Sequence, residues 1–146
     1  MRKTLFFLAL LASNIAAAEW KPSVTGHNLT GYVDPDSIRK HGDGATMRVL
    51  VDYKTHPFDG NNLPYLSTLM LVEYDCKVAR FRALETTSFA GHMATGHRPY
   101  ISHEPGAWKP VTTKTIQDTL WNIACGELKE QEEKEIPKTR PSASKP

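Results

Sequence analysis

The sequence predicts an α+β domain of about five or six antiparallel strands, with one C-terminal helix packed on one face of the sheet. Three observations predict it. From Leu66 to Phe89 apolar and polar residues alternate with period two, the pattern of half-buried strands. From Thr115 the apolar spacing changes to 3.6, placing Ile116, Leu120, Ile123 and Ala124 on one helical face. The two cysteines, Cys76 and Cys125, fall where the central strands meet and near the end of that helix.

The chain opens with Arg2 and Lys3, an apolar run from Leu5 to Ala12, and the small residues Ala16, Ala17 and Ala18. This is the pattern of an export signal over residues 1–18. The run is too short for a bilayer span, which needs about 20 apolar residues, so no transmembrane segment is expected after cleavage. The mature chain is expected to begin at Glu19 and to work in the periplasm or as a secreted protein. No cysteine follows the cleavage point, so a lipoprotein anchor there is not expected.

Export decides how the cysteines are read, because an oxidising compartment turns a pair of thiols into a disulfide. Two cysteines allow a single intramolecular pairing. Joining Cys76 to Cys125 closes a loop of about 50 residues, which chain-entropy reasoning values at roughly 4 kcal/mol. The competing reading is a catalytic thiol, which needs a histidine beside it in a polar pocket.

Without residues 1–18, 16 of the 18 Lys and Arg remain against 16 Asp and Glu, a formal balance of zero. A neutral domain has no general attraction to nucleic acid or anionic lipid, so nucleic acid is not an expected partner. The remaining length suits one domain with one core over 19–126.

Taken in order, Trp20 to Val24 predicts a short edge strand, with Pro22 acceptable only at an edge. Leu29 to Asp34 predicts a second, ended by Asp34-Pro35-Asp36-Ser37 as a turn or one helical turn. After the turn signal at His41 to Gly44, the alternation of Ala45, Met47, Val49, Val51 and Tyr53 with polar residues predicts a third strand. Thr55 to Pro64 is a loop rich in Gly, Asn and Pro.

Within the central stretch, Leu66, Thr68, Met70, Val72, Tyr74 and Cys76 share one face and Ser67, Leu69, Leu71, Glu73 and Asp75 the other. Ala79, Phe81 and Ala83 then alternate with Arg80 and Arg82. The phase change at Asp75-Cys76-Lys77 marks a tight hairpin or a bulge. His97 to Ser102 predicts one more strand. Thr115 and Asp118 stand as a capping box, and Gly126 fits a helix stop. Residues 127–146 are read as a disordered, charged and proline-rich tail, although Leu128 to Ile136 could extend a helix.

Few residues carry a chemical signal. His92, His97 and His103 surround the loop between Gly91 and Gly96 and are weak metal or haem candidates, since their spacing matches no strong metal motif. Arg48, Arg80 and Arg82 form a candidate binding surface on the outer sheet face, with Asp52, Glu73 and Asp75 able to neutralise it. Separately, Trp108 and Trp121 could make an exposed binding surface, although Trp121 at least is expected to pack where helix meets sheet. No nucleophile elbow, P-loop or dinucleotide fingerprint occurs, so no catalytic residue is assigned.

The runs G-Y-V-D-P-D-S-I, R-V-L-V-D-Y, S-T-L-M-L-V-E-Y-D-C-K with R-F-R-A-L, F-A-G-H-M-A-T-G, W-K-P-V and L-W-N-I-A-C, in that order, resemble the surface-adhesin protein E family. The resemblance covers most of Trp20 to Gly126. It implies an antiparallel sheet with a C-terminal helix joined to it by a disulfide between Cys76 and Cys125. It also implies a secreted or surface protein that binds host extracellular proteins, with an association with haem; otherwise no cofactor is expected.

The expected function is therefore that of a small exported, non-enzymatic binding protein for a host protein or an envelope ligand. The alternatives are an unrecognised periplasmic enzyme or a haem or metal binder. The export reading is directly checkable. Intact-mass analysis of the exported protein should place its N-terminus at Glu19, and an exported form retaining Met1 would refute cleavage.

Overall fold

The computed structural model describes residues 18–57 and 63–135. The signal segment before Ala18 and the tail after Glu135 lie outside the described residues. Seven strands, β1 (Lys21–Thr25), β2 (Leu29–His41), β3 (Gly44–Tyr53), β4 (Ser67–Asp75), β5 (Arg80–Phe89), β6 (Tyr100–Ser102) and β7 (Lys109–Pro110), precede one helix, α1 (Ile116–Glu135). They form a single antiparallel sheet in the order β1-β2-β3-β4-β5-β6, a meander in which each strand pairs with the next. The far edge of β5 is shared: β6 pairs with Thr86 to Ser88, and β7 with Arg80 and Phe81.

Several boundaries differ from the sequence expectation, each for a local reason. Strand β2 does not stop at Asp34. Its pairing with β3 lapses after Asp34↔Arg48 and resumes at Arg39↔Thr46, so Pro35 sits in the bulge, where its missing N–H costs no ladder bond. The Ser37 hydroxyl donates to Asp34 O and accepts from Arg48 N, which holds the bulge closed. The phase change after Asp75 is a hairpin loop over 76–79, because Asp75 pairs with Arg80. Ala79 belongs to that loop and takes φ 51° rather than starting the strand. A bulge in β5 between the partners of Leu71 and Val72 then corrects the alternation. Strand β6 begins at Tyr100, and β7 carried no readable signal in two residues.

Helix α1 starts behind Thr115, whose hydroxyl accepts from Asp118 N at 3.3 Å. The Asp118 carboxylate reaches back to Lys114 N at 2.9 Å, one residue earlier than a standard capping box. At the other end Gly126 does not stop the helix, which runs on to Glu135. Only Gly42 and Gly96 among the described glycines have positive φ, so Gly126 lacks the left-handed conformation of a helix-ending glycine.

The register sorts the strands onto two faces. On the inner face, Val33, Ala45, Met47, Val49, Val72 and Tyr74 pack against Leu120, Ala124 and Cys125 of α1. Trp121 packs beside them and its indole N–H donates to Asp75 O at 3.0 Å, which accounts for its position at the join of helix and sheet. The Cys76–Cys125 disulfide closes the same corner, with a Cα separation of 5.6 Å. The helix crosses this face from Ile116, beside Gly26, to Cys125 at the β4–β5 loop, and Val51 and Met70 pack against the edge of the core.

Tyr74 is fully buried beneath the helix, and its hydroxyl has no hydrogen-bond partner among the described residues. Burial pushes its ionisation well above the ordinary tyrosine range, so the hydroxyl stays neutral. An unpaired buried hydroxyl costs about 1–3 kcal/mol relative to a satisfied one. Tyr74→Phe is therefore expected to leave stability unchanged or raise it by up to about 1 kcal/mol in denaturant unfolding. A loss of more than about 2 kcal/mol would show that the hydroxyl is bonded.

Candidate functional site

On the outer face, β4 and β5 place opposite charges directly across from each other: Glu73↔Arg82 and Asp75↔Arg80. Arg82 Nε lies 2.7 Å from Glu73 Oε2, and Arg80 Nε lies 3.0 Å from Asp75 Oδ2. The short pairing of β7 with β5 brings Trp108, the residue just before β7, over both guanidinium groups. Their carbons stand 4.7 and 4.5 Å from the Trp108 ring centroid, within cation–π range. Two neighbouring arginines are thus held between carboxylates and an indole. The sequence reading named the arginines and Trp108 as surface candidates but did not bring the ring to the arginines, which the pairing of β7 with β5 does.

Asp75 is the fixed point of this arrangement. Its Oδ1 accepts from Lys77 N and Val78 N, its Oδ2 from Arg80, and its backbone oxygen from Trp121. Desolvation pushes its carboxyl up, but the bonds from Val78 N, Arg80 and Lys77 N, with the Arg80 charge, outweigh burial and hold it below the usual carboxylate range. Beside it, His41, Asp43, Glu73, Lys77 and Trp108 line a hollow of about 230 Å³.

Arg48 shares the outer face but not this cluster. It pairs with Leu71 two strands away from β5 and is exposed, lining a separate hollow of about 460 Å³ with Glu19, Asp34, Asp36 and Arg39. The three arginines therefore make one patch of two and one outlier.

The loop between β5 and β6 lies on the outer face at its other end. Asp52 accepts from Met93 N at 2.7 Å and holds His92 Nδ1 at 3.1 Å, while the Ser67 hydroxyl donates to Gly91 O and accepts from Ala94 N. Gly91 allows the close turn, since a Cβ there would stand 2.5 Å from the Thr95 hydroxyl. His92 is thus a latch for this loop, and His97 and His103 are exposed. Among the described residues no group of three or more His, Cys, Asp or Glu could hold a metal ion. The three histidines are not gathered into one ligand set.

Residues 20–126 match the sequence profile of surface-adhesin protein E. The chain belongs to the surface-adhesin protein E family. The sheet, the helix and the disulfide between them are the architecture expected of a member. Crystal structures of Haemophilus influenzae protein E share the fold. One crystal form is 13% identical and aligns with TM-score 0.54 over 77% of this chain and 98% of the other. A selenomethionine form is 15% identical, with TM-score 0.55 over 73% and 85%. Protein E from the non-typeable organism gives 13%, 0.52, 81% and 82%. No curated protein matches the chain. Adhesin-E membership goes with export or surface location, and no helix among the described residues is long and apolar enough to cross a membrane.

The Asp75 network sets a pH dependence. A carboxyl held low when folded contributes stability above the unfolded aspartate pKa, near 4, and that contribution is lost as pH falls through the folded value. Asp75→Asn is expected to cost about 1–2 kcal/mol at pH 7, with the gap to the parent narrowing toward pH 2. Urea titrations at both pH values measure it. Equal stability of the two proteins at pH 7 would overturn the role given to Asp75.

Proposed function

We propose that this protein is an exported, non-enzymatic adhesin that docks a protein partner on the outer face of its sheet, through Trp108, Arg80 and Arg82. The observation that carries this reading is the placement of both guanidinium carbons over one indole. Tryptophan and arginine dominate the energetics of protein interfaces, and rigid groups lose little freedom on binding. Here the ring, the two guanidinium planes and their carboxylates are already ordered by a hairpin, a third strand and each other.

Because Glu73 and Asp75 neutralise the pair, the patch has little long-range pull on an acidic molecule. Recognition would rest on shape and on planar contacts at short range, which suits a folded protein better than a polyanion. Glu73 and Asp75 are each engaged by an arginine, an arrangement of paired charges that suits binding. Arg48 stands apart and is assigned a peripheral part in the same surface. Between the periplasm and the cell exterior, the adhesin reading favours the exterior.

Trp108→Ala tests the proposal. The variant should keep its near-ultraviolet circular dichroism envelope from the buried core, while capture of partners from host matrix extract should fall by about tenfold or more. Protease treatment of intact cells, with periplasmic release as the comparison, locates the protein. Full retention of capture by the folded variant, or complete shielding within the periplasm, would overturn this assignment.

A further inference from the structure

The edge strand β1 enters the sheet at the pair Lys21↔Val33, and an antiparallel course carries the residues before it alongside the bulge of β2. Ala18 and Glu19 accordingly line the hollow of about 460 Å³ that also holds Asp34, Asp36, Arg39 and Arg48. Asp34 is its unusual member. It is only 7% exposed, yet among the described residues it forms no ion pair. Its Oδ1 accepts from Asp36 N at 3.2 Å, a neutral donor. Arg39 turns its guanidinium group to the carbonyl oxygens of Asp36 and Ile38. Arg48 stands across from Asp34 in the ladder but beyond ion-pair distance. Buried carboxylates are paired as a rule, because an uncompensated charge out of water is costly.

We propose that Asp34 receives the α-ammonium group that export creates at Glu19, so that signal removal fastens the leading end of β1 to β2. The inference rests on cleavage between Ala18 and Glu19. There the signal peptidase of the exporting cell adds one water across the peptide bond, leaving a carboxylate on Ala18 and an amine on Glu19 that is protonated at neutral pH. Before cleavage this nitrogen is a neutral amide with one N–H. Afterwards it is a cation with three donors, and it arises at the wall of the hollow without any further chain to order. Among the described residues, Asp34, Asp36 and Glu19 bring three carboxylates to the hollow against the guanidinium groups of Arg39 and Arg48, and the new ammonium evens the count. The strand has need of such a tie. A leading strand frays unless held, Pro22 has no N–H to donate, and the register of β1 shifts between Pro22 and Val24.

The test compares the chain beginning at Glu19 with a form that keeps Ala17 and Ala18, which moves the ammonium two residues away. In urea at pH 7 the extended form should unfold with an equilibrium constant about tenfold larger, the scale of a hydrogen bond between charged groups. Asp34→Asn keeps an acceptor for Asp36 N and should fold, and in that background the extension should change the constant by less than about twofold. The advantage of the Glu19 start should be full below the ordinary α-amino pKa, near 8, and be lost as pH rises through the folded value, since only the protonated amine binds a carboxylate. A titration of the 15N-labelled α-amine, which needs no variant, should place it higher in the Glu19 form than in the extended one. Equal unfolding constants for the two forms at pH 7, an effect of extension that survives Asp34→Asn, or an α-amine that titrates alike in both would each overturn the assignment. So would an exported protein whose first residue is not Glu19. Because these experiments read folding and titration rather than capture, they leave the Trp108 experiment to stand or fall by itself.

Discussion

The structure depends on one corner, where Asp75 and Cys76 meet the helix. A meander of antiparallel strands and a single helix share only one apolar interface, so the angle and register of the helix must be set somewhere specific. At this corner three independent bonds set it: the Trp121 indole to Asp75 O, the disulfide from Cys76 to Cys125, and the packing of Leu120 and Ala124 on Val72 and Tyr74. The same aspartate side chain closes the β4–β5 loop and orients Arg80. Helix docking, hairpin geometry and the outer-face patch are therefore consequences of one residue's surroundings.

What the sequence disclosed follows from how local the determinants are. Strand β3 and the core half of β4 were readable because their alternation is set by the pleat alone, and the cysteine pair because export leaves two thiols one partner each. The extension of β2 through Pro35 was hidden, because a proline normally ends a strand unless a bulge absorbs it. The continuation of α1 through Gly126 was hidden for a similar reason: glycine permits a stop without requiring one. At the site, Arg80 and Arg82 could be placed on one face by counting, and their carboxylate partners were guessed from charge. Trp108 could not be placed, because a two-residue strand brings it across the sheet from far along the chain. The histidines stood close in sequence, but an Asp52 latch from a distant strand decides the role of His92.

The two faces of the sheet solve different physical problems. The outer face holds charges that are paired in place, so it is ordered without being strongly attractive at a distance. The inner face carries the apolar core under the helix and, farther along, the buried hydroxyls of Thr68 and Ser88.

The disulfide also determines how the molecule carries mechanical load. Cys76 and Cys125 are 49 residues apart in sequence but bonded in space. Tension applied between the two chain ends passes from β4 through the sulfur atoms and out along the last turns of α1. Residues 77–124 hang from that path as a closed loop outside it. Strands β5, β6 and β7, with Arg80, Arg82, Trp108 and Tyr100, all lie in that loop. A pull on the two chain ends therefore leaves those three strands unstretched.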